Sequence, residues 1–329
     1  MNSLVKGFMV IGVSVTAKAA MRLLTLLLVA VFAVLSSSVS FADDERVKVV
    51  ASFSILADIA EQVGGERVEV TSIVGVNGDT HVYRARPMDA KQITYADLLV
   101  INGLGFEGWI ERLESSARFN GIKVVATNGI HLLHGNAEES VQVMPMGHIH
   151  QHGTIDPHAW HSLQNGMQYA KAIAQGLMTA DPEHQDYYQQ RLDDFLVRAE
   201  QLDQELHALV AQLPPERLRV ITSHDAFAYL AVDYGFQFIS VQGVSTESEV
   251  AAGDLSRLIR EVRNTEAAAI FLENISDPRL MNQVAKETGA SIGGTLYSGS
   301  LSEADGPAAS YLELMRHNVT TLVAALSAP

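Results

Sequence analysis

One amphipathic stretch divides this chain in two. Leu192, Phe195, Leu196, Ala199, Leu202, Leu206 and Leu209 recur at three- and four-residue steps, which puts them on one face of a helix. Asp181-Pro182 opens the stretch, because Asp caps a helix and Pro suits its first position. Pro214-Pro215 closes it. The helix is expected from about Glu183 to Leu213, and ~30 residues at 1.5 Å each make a rod of roughly 45 Å. Such a rod is long enough to cross from one domain to another.

On either side of it, short apolar segments alternate with amphipathic ones. Strands are expected at 47–54, 68–74, 98–103 and 123–127, then at 218–223, 237–243, 267–272 and 291–296. They are rich in Val and Ile, as buried parallel strands tend to be. Helices are expected between them and at 164–179, and the chain closes on one at 308–326. The pattern is βαβ on both sides. The fold class is therefore α/β, with two lobes, each a mainly parallel sheet flanked by helices, joined by one long rigid helix. The expected boundaries are an N-terminal lobe at 43–181, the linking helix at 182–213 and a C-terminal lobe at 214–329.

Residues 1–42 stand apart from this pattern. They carry Lys6, Lys18 and Arg22 and no acidic residue, then an apolar run from Leu23 to Leu35, then small residues at Ser40 and Ala42. This reads as a signal peptide cleaved near Ala42. A transmembrane anchor is the rival reading, but the run falls short of the ~20 residues a span needs. Met21-Arg22 would make a more ordinary start. The chain has no cysteine, so it would fold without disulfides and lacks the residue a bacterial lipoprotein acylates. A free periplasmic monomer is the expectation. With the three basic leader residues removed, 20 basic residues face 38 acidic ones, a net charge of −18. That excludes a nucleic-acid binder, which carries a basic face, and gently favours cations.

Parallel-sheet folds bind ligands in loops beyond the carboxyl ends of strands. Four such loops carry metal-ligating types: His81, His158, His224 and Asp305. A lone loop histidine is usually only exposed or hydrogen-bonded. Here two candidates come from each lobe, and all could face one crevice. Neutral imidazoles with one carboxylate make a zinc-type shell. A His-rich stretch at about 131–153 adds His134, His148, His150 and His152. Such tracts bind metal loosely. Its expected role is to collect scarce zinc, or to recognise a periplasmic metallochaperone.

These residues resemble the cluster A-I solute-binding proteins of ABC transporters, the zinc- and manganese-binding family. Thr80-His81-Val82-Tyr83 followed by Pro87-Met88-Asp89 is similar to its first motif, with Thr80 where proline is usual. Asp156-Pro157-His158-Ala159-Trp160 matches the second, Ser223 to Leu230 the third, and Asp305 the acidic residue before the final helix. The resemblance implies metal held between two lobes and delivered to a membrane permease, with no catalysis. It implies Zn2+ as cargo, manganese or iron being the alternative, since manganese members often carry Glu where His224 stands. A zinc hydrolase is the rival of another class. It would show three ligands and an open position, and neither a His-Glu-x-x-His helix nor a nucleophile elbow is present. A surface adhesin would show repeats or a lipid anchor.

Overall fold

The computed structural model describes residues 46–133, 155–247, 252–264 and 269–327. The leader at 1–42 and His134, His148, His150 and His152 lie outside the described residues. In the N-terminal lobe, β1 (Val47–Phe53), β2 (Val68–Val74), β3 (Leu98–Ile101) and β4 (Ile122–Val125) alternate with α1 (Ser54–Gly64), α2 (Pro87–Thr94) and α3 (Ile110–Ala117). α4 (Leu163–Ala180) and α5 (Gln185–Val210) follow. In the C-terminal lobe, β5 (Arg219–His224), β6 (Gln237–Gln242), β7 (Ala269–Glu273) and β8 (Ile292–Leu296) alternate with α6 (Ala228–Tyr234), α7 (Ala252–Asn264) and α8 (Pro278–Thr288). α9 (Tyr311–Leu326) comes last.

Both sheets are parallel, in the orders β2-β1-β3-β4 and β6-β5-β7-β8. The central strands are buried on both faces: every residue of β3 is buried, and in β1 only Lys48 is exposed. This is why they read as apolar runs and not as alternating ones. Local chemistry sets the helix ends. Pro87 starts α2, and the Asp89 carboxylate caps it by accepting from Arg86 N at 2.6 Å. Gly289 ends α8 at φ 77°, a left-handed conformation that glycine adopts without strain.

The linking helix is shorter than its pattern predicts. Pro182–His184 form a 3-10 turn, and the α-helix proper is 26 residues long, a rod of about 39 Å. Five of the seven stripe residues are buried, and Leu196 and Leu209 partly so. α5 packs on α1 and α4 of one lobe and on α9 of the other. One apolar core therefore runs through both lobes. Within α5, the Asp203 carboxylate accepts from Tyr234 Oη at 2.7 Å and from Gln164 Nε2 at 3.0 Å. α9 starts at Tyr311, later than expected, because Ser310 is its cap and residues 303–306 make a turn before it.

Candidate metal centre

The carboxyl ends of both sheets meet at one buried point. His81 follows β2, His158 precedes the turn into α4, and His224 is the last residue of β5. Their ligand atoms lie within 4.8 Å of one another. His81 Nε2 and His158 Nε2 are 3.1 Å apart. Two nitrogens bound tetrahedrally at 2.0–2.1 Å from one ion would be roughly 3.3 Å apart, so the imidazoles already stand near a ligating arrangement.

Each ring is held from behind. Asp156 Oδ1 accepts from His158 N at 2.9 Å and lies 2.8 Å from His158 Nδ1. Asp156 itself is fixed by Tyr229, whose hydroxyl donates to its carbonyl oxygen at 3.1 Å. Asn102, beyond β3, donates to Pro157 O at 2.9 Å. For His224 the partner is Glu273 at the end of β7. Glu273 Oε1 accepts from Ser223 N, Ser223 Oγ and His224 N. Its Oε2 lies 2.5 Å from His224 Nδ1, an ionic contact not aligned as a hydrogen bond. A carboxylate on Nδ1 leaves Nε2 for a metal and raises the basicity of the ring. His81 is positioned by its backbone: Asp79 Oδ1 accepts from His81 N at 2.9 Å, and Trp109 Nε1 donates to Thr80 O at 3.1 Å. Asp79 Oδ2 accepts from Thr246 Oγ1 at 2.7 Å, a bond between lobes.

Burial sets the protonation. It pushes His81 down to about 2, helped by His158 and His224, and holds His158 well below its usual value. Both rings therefore stay neutral, as ligands must be. Burial also opposes charge on His224, but the Glu273 carboxylate outweighs it and raises that group, while Glu273 is held down at about 2. Burial lifts Asp156 to about 6.

Three of the four expected residues are thus brought together and one is not. Asp305 is exposed on the turn at 303–306, and no described carboxylate joins the three imidazoles within ligand distance. The reason is the path after β8. Ser298, Ser300, Leu301 and Ser302 are buried, with Ser298 O accepting from Trp160 Nε1 at 3.0 Å and lying 2.9 Å from His161 Nε2. The chain surfaces only beyond them, so Asp305 emerges into water. Four ligands closing the shell therefore no longer argue against an enzyme. Glu273 was not among the expected site residues, although it ends a strand as His224 does. His161 proves fully buried, pushed down to about 3 by burial and by His158. His131 is exposed. The residues flanking the His-rich stretch meet beside the site, where Asp156 N donates to Leu133 O at 3.0 Å.

Two parallel α/β lobes on a linking helix, with a buried histidine cage between them, define an extracytoplasmic metal-binding protein of the solute-capture class. Residues 49–325 match the model of the zinc-uptake complex component A periplasmic family, and the chain belongs to that family. It is 30% identical over 286 residues to the manganese-binding lipoprotein MntA of Halalkalibacterium halodurans, covering 87% of this chain and 90% of that one. The Mn-bound periplasmic metal-binding protein of Candidatus Liberibacter asiaticus superposes with a TM-score of 0.74 at 29% identity, over 85% of this chain and all of that one. The periplasmic zinc-binding protein TroA of Treponema pallidum gives 0.77 at 26%, over 86% of this chain and all of that one. The family is one of binding proteins for ABC transporters, not of enzymes, which removes the hydrolase reading.

Proposed function

We propose that His81, His158 and His224 capture a zinc ion and that the loaded protein hands it to the permease of an ABC transporter. The observation that carries this is the convergence of three buried imidazoles, two with Nδ1 facing a carboxylate. An all-nitrogen donor set suits zinc, whereas manganese prefers oxygen. Three protein ligands leave a tetrahedral ion one position for water or another small ligand. The second reading is manganese or iron, and the manganese-binding lipoprotein of Halalkalibacterium and the Mn-bound protein of Liberibacter favour manganese. Elemental analysis after loading under equimolar zinc, manganese and iron separates the two. One zinc per chain supports the first reading and one manganese or iron the second. No metal in stoichiometric amount overturns both.

The reading extends to the segments outside the described residues. Export with cleavage after Ala42 places the protein in the periplasm, and N-terminal sequencing should find Asp43. The His-rich stretch gathers metal or meets a metal-donating partner, supported by its flanks at Leu133 and Asp156 joining two residues from His158. Replacing His148, His150 and His152 by Ser should slow loading at low free zinc and leave the tight site intact. Unchanged loading would remove that role.

A further inference from the structure

A cleft of about 640 Å³ opens on the N-terminal lobe between α2 and α3, and none of the three caged histidines lines it. Arg84, Arg86 and Arg112 line it together with Tyr83, Trp109 and Leu113, and no acidic residue is among its lining. In a chain with 38 acidic and 23 basic residues, three guanidinium groups around one hollow are a local reversal of charge. Arg86 is already committed: it donates to Tyr83 Oη at 3.2 Å and pairs with the Asp89 carboxylate at 3.7 Å. Arg84 and Arg112 are exposed, and their side chains make no ion pair or hydrogen bond among the described residues.

The same stretch of chain carries unusual apolar exposure. Val82 is 49% exposed, Met88 59% and Tyr95 67%. Within the cleft, arginines stand with the aromatic Tyr83 and Trp109, residue types enriched at protein interfaces. Guanidinium groups left unpaired call for carboxylates, which they grip in two-point fashion. The cleft also touches the metal loop. Trp109, in its wall, donates to the carbonyl of Thr80, and Tyr83 is two residues beyond His81.

We propose that this cleft is the docking site for an acidic segment of the membrane partner, with Arg84 and Arg112 as its carboxylate-binding pair. The proposal rests on the delivery function above. A partner seated here would bear directly on the loop that holds His81. The cationic lining repels free metal, so the cleft serves the partner and not the cargo.

The test compares wild-type protein with the double variant Arg84→Glu, Arg112→Glu and with the control Arg84→Lys, Arg112→Lys. Metal affinity is measured in solution. Delivery is measured as initial uptake of radiolabelled zinc by spheroplasts that retain the transporter and have been washed free of periplasmic protein. The expected result is unchanged affinity in every variant, with uptake slowed at least about tenfold by the charge reversal, the scale on which complementary charge speeds association. The lysine control should retain most of the rate, and added salt should slow the wild type more than the reversed variant. Wild-type protein that drives no uptake defeats the delivery reading itself. Uptake by the reversed variant as fast as wild type, or lost in proportion to its solution affinity, overturns the docking site and leaves delivery standing.

Discussion

In the N-terminal lobe, the buried carboxylate of Glu107 accepts from Ser52 Oγ, Asn102 N and Gly103 N, at the ends of the two central strands. In the C-terminal lobe, Glu273 stands at the corresponding strand ends and accepts from Ser223 N, Ser223 Oγ and His224 N. Burial drives Glu107 up, towards its neutral form. Burial acts on Glu273 in the same sense, but His224 beside it reverses the sign and holds it ionised. One architectural device thus joins two strand ends in one lobe and charges an imidazole of the buried histidine cluster in the other. What differs is a single imidazole within reach. The two N-terminal imidazoles of the cluster have other supports, His158 being backed by Asp156 and His81 by the backbone of its turn.

The sharpest way to break this comparison is to remove one histidine from each lobe. His224→Ala should abolish tight metal binding and also destabilise the metal-free protein by about 3–5 kcal/mol, because it strands the buried Glu273 charge. His81→Ala should abolish tight binding with a much smaller loss of stability. Titration calorimetry and denaturant unfolding read the two effects. Equal stability losses would mean that Glu273 does not carry charge.

Exchanging the two glutamates comes next. Glu273→Gln should weaken metal binding by about 10–100-fold, as loss of a carboxylate behind a ligand histidine does. Glu107→Gln should leave affinity unchanged and cost about 1–3 kcal/mol of stability, through a backbone donor left without its acceptor. Competition against a chelator of known affinity decides this, and equal affinity losses would erase the distinction between the lobes.

Acid should sharpen it further. His81, His158 and His161 are depressed by burial below their usual 6.5, so the unfolded chain binds protons that the folded one refuses. Stability of the metal-free protein should therefore fall as the pH drops below about 6.5, by roughly 2 kcal/mol per such histidine at about pH 5. His224 is raised, so its contribution runs the other way: present below its unfolded value and lost as pH rises through its folded one. Glu273 contributes above its ordinary 4.5 and loses that contribution only as the pH falls towards about 2. Asp58, Asp156 and Asp225, each lifted by burial to about 6, take up protons in the folded state first and offset part of this loss below about pH 6. The acid destabilisation that remains is the part of the histidine contribution they do not cancel. Thermal melts that are flat between about pH 7.5 and 5 would contradict it.

The smallest effect concerns the bond between the lobes. Thr246→Val deletes the hydroxyl that donates to Asp79, at about 1 kcal/mol. Metal should then leave roughly fivefold faster, with little change in melting of the metal-free protein. Stopped-flow release into excess chelator measures it, and an unchanged rate would show that the bond does not hold the loaded state.

Much of this was legible in residue order. The stripe at Leu192–Leu206 marked the linking helix, and the apolar runs marked all eight described strands to within a few residues, because a parallel strand buried on both faces shows its burial as composition. Strand-end position correctly grouped His81, His158 and His224. The same rule misplaced Asp305, since distance along the chain says nothing about how far a segment stays buried after its strand. Glu273 escaped notice because one Glu at the end of an apolar run reads as the strand's edge. Only pairing of β7 with β5 brings it to Ser223 and His224.

The sequence by itself determined the periodicities, and through them the two lobes, the helix joining them and the three loops that bear imidazoles. These follow from neighbours a few residues apart, where local spacing dictates which face is apolar. Only the tertiary structure decided that the imidazoles meet within 4.8 Å, that no described carboxylate joins all three as a fourth ligand, and that Glu273 is ionised while Glu107 tends to neutrality. Those outcomes depend on burial and on charges from strands far apart in the chain. The free energy of a buried charge is set by what surrounds it in space, and residue order does not carry that information.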